Sequence, residues 1–300
     1  MPTMAEVLLR QAKRIRADVR RRDSGEQLIT HVPTGFKELD DTYGGVRRGV
    51  ATALVAHTGV GKSTFARQVV GAAGRAGAGA LWVCGEDPEE PTAERELADG
   101  TGVTATEMGR LDLSPGELDR IDQAAIAAQE WAKRVQVVFD APSVDTVLEL
   151  VDDTKTVGGA PLALVVLDYA QIFGDADNLE HEVAKLARGM QLRASDRYIA
   201  TLILSQVSND VLRRGREEYL RTREVKGFLP GKGDIEWCKR MEKSTKAYWV
   251  LDRPGMWRRE MGEDDPDTTA ELHVKKQNFG PTGWVPLVWD GPNCRFDSPQ

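Results

Sequence analysis

The segment Ala56-His57-Thr58-Gly59-Val60-Gly61-Lys62-Ser63 constrains this chain more than any other stretch of it. An apolar run at 51–56 enters it, and residues 64–73 leave it with helical character. Its glycines let successive backbone N–H groups turn towards a single anion, and a helix beginning there adds its partial positive charge. In such a loop Lys62 reaches the β- and γ-phosphates of a nucleotide and the Ser63 hydroxyl holds Mg²⁺. Thr58, Gly59, Val60, Gly61 and Thr64 complete the phosphate cradle. The pattern normally opens with glycine where Ala56 stands, a position that tolerates a small side chain. A bare glycine turn would need neither the lysine, nor the hydroxyl, nor the flanking strand and helix. The expected architecture is therefore α/β, a P-loop NTPase with a mostly parallel central sheet flanked by helices.

Three further apolar runs fit that sheet. Residues 162–168 are uninterrupted and end in Asp168, as expected of a strand buried on both faces that delivers a carboxylate to the ligand edge. There Asp168 would hold Mg²⁺ through its water shell. The run at 199–204 ends at Ser205-Gln206, whose amide can touch a γ-phosphate and report its presence. The run at 78–84 is followed by Gly85-Glu86-Asp87. A general base must lie across the γ-phosphate from the loop, and the end of an adjacent parallel strand provides that place. Read without further help, Glu86 could equally be one solvated charge in the acidic stretch 86–96. Residues 101–153 look like scaffold, with Leu118, Ile121, Ala125, Ala128 and Trp131 at the spacing of a core-facing helix.

Composition excludes several function classes. The chain has 300 residues, 41% of them hydrophobic and 29% charged, which is the balance of a globular protein with a sizeable core. No apolar run is long enough to span a bilayer, so no membrane partner is expected. The first arginines follow Val7-Leu8-Leu9 instead of preceding an apolar core, so a signal peptide is not expected and the expected location is the cytoplasm. Cys84, Cys238 and Cys294 are far apart, which argues against both a disulfide framework and a zinc site. A net charge of −7 argues against a chain that coats nucleic acid with its whole surface. Local basic clusters remain: one at residues 10–22 and one at 213–246.

Residues 4–22 carry Met4, Val7, Leu8, Ala12, Ile15 and Val19 at helical spacing, a narrow apolar stripe on a basic helix. Such a linker helix, within an N-terminal segment 1–30, docks either on a neighbouring subunit or back on its own core. Residues 271–276 and 284–289 read as a C-terminal β-hairpin joined by a turn with Gly280-Pro281-Thr282-Gly283.

Together these stretches resemble the RecA-like motor core of DnaB-type replicative helicases. The resemblance rests on Thr34-Gly35-Phe36 with Leu39-Asp40, then Gly44-Gly45 and Gly49 before the phosphate loop. It continues through Asp168-Tyr169-Ala170-Gln171-Ile172 and the Gly-Pro-Thr-Gly hairpin, so residues 31–300 form one expected core. The resemblance implies ATP and Mg²⁺ as cofactors, Glu86 as the residue that polarises the attacking water, and Arg95 near the phosphates. It implies a lysine presented to the neighbour's nucleotide at Lys276, and Asn278 stands where that family keeps an arginine finger. It implies a homo-oligomer, a hexameric ring around single-stranded DNA, and contact with other replisome proteins. The segments after the strands would hold DNA through flexible basic loops, here the polar stretch 207–232 with Arg213, Arg214, Arg216, Arg221, Arg223, Lys226 and Lys232. A Gly-x-Ile-Glu element of that family aligns either with Gly233-Asp234-Ile235-Glu236 or, by spacing, with Met241-Glu242. Only residues 1–30 precede the core, so primase recruitment through a collar domain is not expected. Two alternatives share the nucleotide residues: a RecA- or RadA-like recombination or regulatory ATPase, and an ATP-gated DNA-binding module with weak hydrolysis.

Overall fold

The computed structural model describes residues 3–24, 31–140, 142–174, 178–230, 239–264 and 266–299. It contains two compact units, Met1–Thr30 and His31–Gln300. The described part of the first unit is dominated by helix α1 (Met4–Asp23). Its start is capped reciprocally: the Glu6 carboxylate accepts from the Thr3 backbone N–H at 2.6 Å, and the Thr3 hydroxyl accepts from the Glu6 N–H at 3.3 Å. The side chains of Val7, Leu8, Ile15 and Val19 are exposed.

In the second unit, β1 (His31–Val32) and β2 (Val46–Arg47) pair antiparallel around α2 (Lys37–Tyr43). The Thr-Gly-Phe…Leu-Asp motif is a hydrogen-bonded clasp here. The Asp40 carboxylate accepts from the Thr34 N–H (2.8 Å), the Thr34 hydroxyl (2.7 Å) and the Gly35 N–H (3.1 Å). The chain then runs through β3 (Ala51–Ala56), α3 (Lys62–Arg75), β4 (Gly79–Cys84), α4 (Glu89–Thr101), α5 (Ala105–Arg110) and α6 (Pro115–Ala132). Next come β5 (Val135–Val138), α7 (Val144–Asp153), β6 (Thr156–Val157), β7 (Ala160–Asp168), α8 (Leu179–Arg197), β8 (Ala200–Gln206) and α9 (Asn209–Thr222). The C-terminal part holds α10 (Lys239–Ser244), β9 (Ala247–Asp252), α11 (Pro254–Glu260), β10 (Thr269–Gln277), β11 (Gly283–Asp290) and β12 (Arg295–Asp297).

The main sheet has the order β12-β11-β10-β9-β3-β8-β7-β4-β5, with β6 paired to β7 off this path. From β9 to β5 every neighbour is parallel, and β10, β11 and β12 continue antiparallel. The residue patterns explain the division. Strands β3, β4 and β9 are buried at every position and β7 and β8 at nearly every one, as continuous apolar runs covered by helices must be. In β10 buried residues alternate with half-buried ones, so one face of the hairpin packs on the core. The register brings chemistry to one edge: Ala56 pairs with Gln206, and Cys84 with Asp168. The parallel strands thus end level with one another at the phosphate loop.

Two sequence expectations are corrected. Residues 209–222 are a helix and Val225–Phe228 a 3₁₀ turn, where a flexible basic loop was expected. Val211, Gly215 and Tyr219, four residues apart, are its buried stripe. Helix α6 has no fully buried residue, and Leu118 and Ala125 face solvent; Ile121, Ala124, Ala128 and Trp131 are its half-buried side. Among the described residues, no helix is long and apolar enough to cross a membrane.

Candidate nucleotide site

The phosphate loop turns between β3 and α3 because two of its glycines adopt left-handed backbone angles: Gly59 at φ 79° and Gly61 at φ 108°. Gly61 also has no room for a side chain, since a Cβ there would lie 2.9 Å from Cζ of Phe296. Phe296 belongs to β12, which is held on α3 by a reciprocal pair: Gln68 donates to the Phe296 carbonyl (2.8 Å) and accepts from its N–H (2.9 Å). Arg67, buried on the same helix, bonds to Glu96, Asp99 and the Cys294 carbonyl. The loop is therefore braced by α4 and by the last strand.

Lys62 opens α3 and is only 7% exposed. Its ammonium donates to the Ala56 carbonyl (3.3 Å) and the His57 carbonyl (3.1 Å). Burial pulls its pKa down to about 8, against the opposing pull of Asp168 and Glu86. Asp168 ends β7 at 1% exposure, and burial pushes its carboxyl up to about 7. The nearby Ser63 hydroxyl and Lys62 oppose that rise, while Glu86 and Asp87 add to it. Neither carboxylate oxygen has a well-aligned hydrogen-bond partner. A buried carboxylate left unpartnered beside the loop serine fits a hard divalent cation, which prefers oxygen donors. Among the described residues no group of three or more His, Cys, Asp or Glu side chains could hold a metal, so a cation here would depend on Ser63, Asp168 and phosphate oxygens together.

Glu86 is two residues beyond β4 and exposed. Partial desolvation raises its pKa, Asp87 raises it further, and Lys62 and Arg95 lower it. Lys62, Glu86 and Asp168 thus share one charge neighbourhood. Arg95 lies on α4 with its guanidinium on the Asp87 carboxylate. Gln206, at the end of β8, is locked to β7's continuation by Gln171. The Gln171 amide donates to the Ser205 hydroxyl (2.8 Å) and to the Gln206 carbonyl (3.4 Å), and its oxygen accepts from the Gln206 N–H (3.4 Å).

Other expected residues sit apart from this group. The Lys276 ammonium donates to the carbonyls of Glu242 (2.6 Å) and Thr245 (2.9 Å) of its own chain, at the C-terminal end of α10. Asn278 is exposed at the hairpin turn. On α9, Arg213 pairs with Asp210 (3.3 Å) and Glu217 (3.4 Å), and Arg216 with Glu260 (2.5 Å). Lys226 pairs with Glu224 at 2.8 Å. Arg214, Arg221 and Arg223 are exposed, and Lys232 lies outside the described residues, as does Gly233-Asp234-Ile235-Glu236.

The sequence reading passed over Gln171, which it quoted without a role, and Arg253. Arg253 follows β9, is 8% exposed, donates to the Gly59 carbonyl (3.3 Å) and lies 4.2 Å over the Trp289 ring. Burial pulls its pKa down to about 10. The signal was available: Asp252-Arg253 closes an apolar run, the same cue that marked Asp168 and Gln206.

Comparison with known proteins gives a consistent picture. Residues 31–298 match the family model described as DnaB-like helicase C terminal domain. The chain is 29% identical over 293 residues to the replicative DNA helicase DnaB of Pasteurella multocida (strain Pm70), covering 94% of this chain and 58% of that protein. With the DnaB of Leifsonia xyli subsp. xyli (strain CTCB07) it shares 26% over 275 residues, 89% of this chain and 56% of that one. The chain therefore spans somewhat more than half the length of these relatives. In fold it matches a solved structure of an isolated ATPase domain with a TM-score of 0.80 at 19% identity, covering 100% of both chains. A DnaB-like replicative helicase solved for its interactions with primase gives 0.77 at 19% identity, over 100% of this chain and 68% of that one. The RadB recombinase gives 0.54 at 17% identity, over 90% of this chain and 100% of that one.

Proposed function

The chain belongs to the DnaB-like helicase C-terminal domain family, and from that premise we propose that it is the motor of a ring-forming DNA helicase. Mg²⁺-dependent ATP hydrolysis at subunit interfaces drives it along single-stranded DNA, in a hexameric ring, in the cytoplasm. The observation that carries this reading is the buried, unpartnered Asp168 carboxylate beside Ser63 and Lys62.

In this mechanism the backbone N–H groups of residues 58–63 and the start of α3 bind the phosphates. Lys62 exchanges its two neutral carbonyl acceptors for the anionic oxygens of the β/γ-phosphates and neutralises charge developing in flight. Ser63 and Asp168 would hold Mg²⁺, which supplies Lewis-acid stabilisation of the transferring phosphoryl group. Glu86 accepts a proton from the attacking water, and its raised pKa makes it a better base than an ordinary carboxylate. Arg95 keeps Asp87 neutralised, leaving Glu86 as the carboxylate facing the site. Gln206 touches the γ-phosphate, with its strand end oriented by Gln171. Lys276 serves a neighbour's nucleotide once it leaves the carbonyls of Glu242 and Thr245. Arg214, Arg221 and Arg223 on α9 hold DNA by its backbone, and other replisome proteins act on the assembled ring.

A second reading is an ATP-gated DNA-binding module with weak hydrolysis. Asn278 at the finger position and the engagement of Lys276 within its own chain favour it. One comparison separates the two. Lys62→Ala should abolish hydrolysis and weaken nucleotide binding, whereas Glu86→Gln should bind ATP nearly as the parent does and stop turnover. Hydrolysis by Glu86→Gln at the parent rate would make Glu86 a surface acid. Parent hydrolysis that single-stranded DNA leaves slow would favour the binding module.

A further inference from the structure

The phosphate loop carries a side chain that the nucleotide chemistry does not use. His57 is 3% exposed, and its ring reaches away from Lys62 towards the segment that follows α9. Its Nε2 lies 2.8 Å from the carbonyl oxygen of Phe228. A carbonyl only accepts, so Nε2 carries a proton and donates. The same ring meets Trp257 edge-on, with centroids 4.7 Å apart and planes at 77°. Phe228 lies flat on the same indole at 4.8 Å and 4°. The indole is itself fixed, because Trp257 Nε1 donates to Asp252 Oδ1 at 2.7 Å. Beyond Phe228 is α9: a Cβ on Gly215 would lie 2.6 Å from Cδ1 of Phe228, so the helix admits that ring only because residue 215 is glycine.

These contacts close a circuit. The excursion that leaves the sheet at Gln206 is tied to the site at its start by Gln171, and at its far end by His57. A packed segment pinned at both ends moves as a unit, since close-packed rings have few alternative arrangements. We propose that His57 is a positioning residue which couples the phosphate loop to the α9–Phe228 segment, so that nucleotide on the loop and DNA on the segment alter each other's affinity. His57 acts through the Phe228 carbonyl and the Trp257 ring, without touching the nucleotide. The proposal rests on the reading of α9 as a DNA-contacting element. Reciprocity then follows: the factor by which DNA tightens nucleotide binding equals the factor by which nucleotide tightens DNA binding.

The test measures affinity for a non-hydrolysable ATP analogue with Mg²⁺, with and without an oligothymidine strand, on the full chain. In the parent the two affinities should differ by about fivefold or more. In His57→Leu the ratio should fall to about one, whatever happens to either affinity alone. His57→Gln, which retains an N–H donor at similar reach, should restore it. A purely structural histidine would change both affinities together and leave the ratio. Gly215→Ala attacks the same contact from the far side and should lose the ratio while its nucleotide affinity without DNA stays at the parent value. Hydrogen exchange adds a readout independent of DNA: the analogue should alter protection at residues 209–228 in the parent and not in His57→Leu. A parent ratio that survives intact in His57→Leu or in Gly215→Ala overturns the coupling role of His57. A parent that binds no oligothymidine overturns the DNA reading of α9 and this proposal with it, a failure recognisable without any variant.

Discussion

A carboxylate buried without a partner costs free energy unless it stays protonated, and Asp168 carries that cost at the edge of the sheet. Its ordinary pKa of 3.8 is pushed up to about 7 in the fold. The folded state therefore holds the proton more tightly than the unfolded chain. The stability this contributes is complete below about 3.8 and is lost as pH rises through about 7. Replacing the acid by its neutral isostere removes the charge and keeps the shape, leaving only the smaller cost of a buried amide. Asp168→Asn should thus raise the melting temperature of the nucleotide-free protein by several degrees at pH 8, with a smaller gain at pH 5.5. Mg²⁺-dependent hydrolysis should be lost in the same variant, a trade of function for stability at one residue. Thermal unfolding at the two pH values checks it, and a melting temperature at pH 8 equal to or below the parent's would mean that Asp168 is not the destabilising charge.

At the scale of elements, α9 decides how DNA contact is made. Part of its charge is answered from within, as Arg213 has Asp210 and Glu217 and Arg216 has Glu260. Phosphates must compete for those two arginines; Arg214, Arg221 and Arg223 are exposed as well. Counterion release gives a log–log salt slope of about 0.7 per phosphate on single strands, so replacing these last three by Ala should reduce the slope by about two. Titrations at several salt concentrations measure it, and a parent-like slope would remove α9 from the DNA path. The same helix shows where the sequence stopped being legible. The phosphate loop and the strands at 51–56, 162–168 and 199–204 were readable because glycine spacing and unbroken apolar runs are local signals. In α9 the buried stripe is only Val211, Gly215 and Tyr219 among charges, and the central glycine imitates a loop. Its reason for being glycine, the Phe228 ring, lies 13 residues away. Lys276 was found by its motif, but its carbonyl partners depend on where α10 ends, which no local pattern announces.

For the whole molecule, the first unit poses the question of assembly. Helix α1 has a basic surface and an exposed stripe at Val7, Leu8, Ile15 and Val19. If that stripe is buried between subunits, deleting residues 2–22 should reduce the oligomer seen by sedimentation with Mg²⁺ and ATP. An unchanged oligomer would mean that the stripe covers its own core. The second unit has a different organisation in time. Its phosphate loop is built early in the chain, yet Gly61 rests against Phe296 of β12, 235 residues later. Gln68, on the helix leaving the loop, takes both its main-chain bonds from that strand. A ribosome adding about 5–20 residues per second needs roughly ten to fifty seconds to cover that distance. Throughout that interval the nascent loop has its glycines and its lysine but lacks the wall behind them. Nucleotide competence therefore arrives late in translation, which keeps unfinished chains from gripping ATP, or one another, around a half-made sheet.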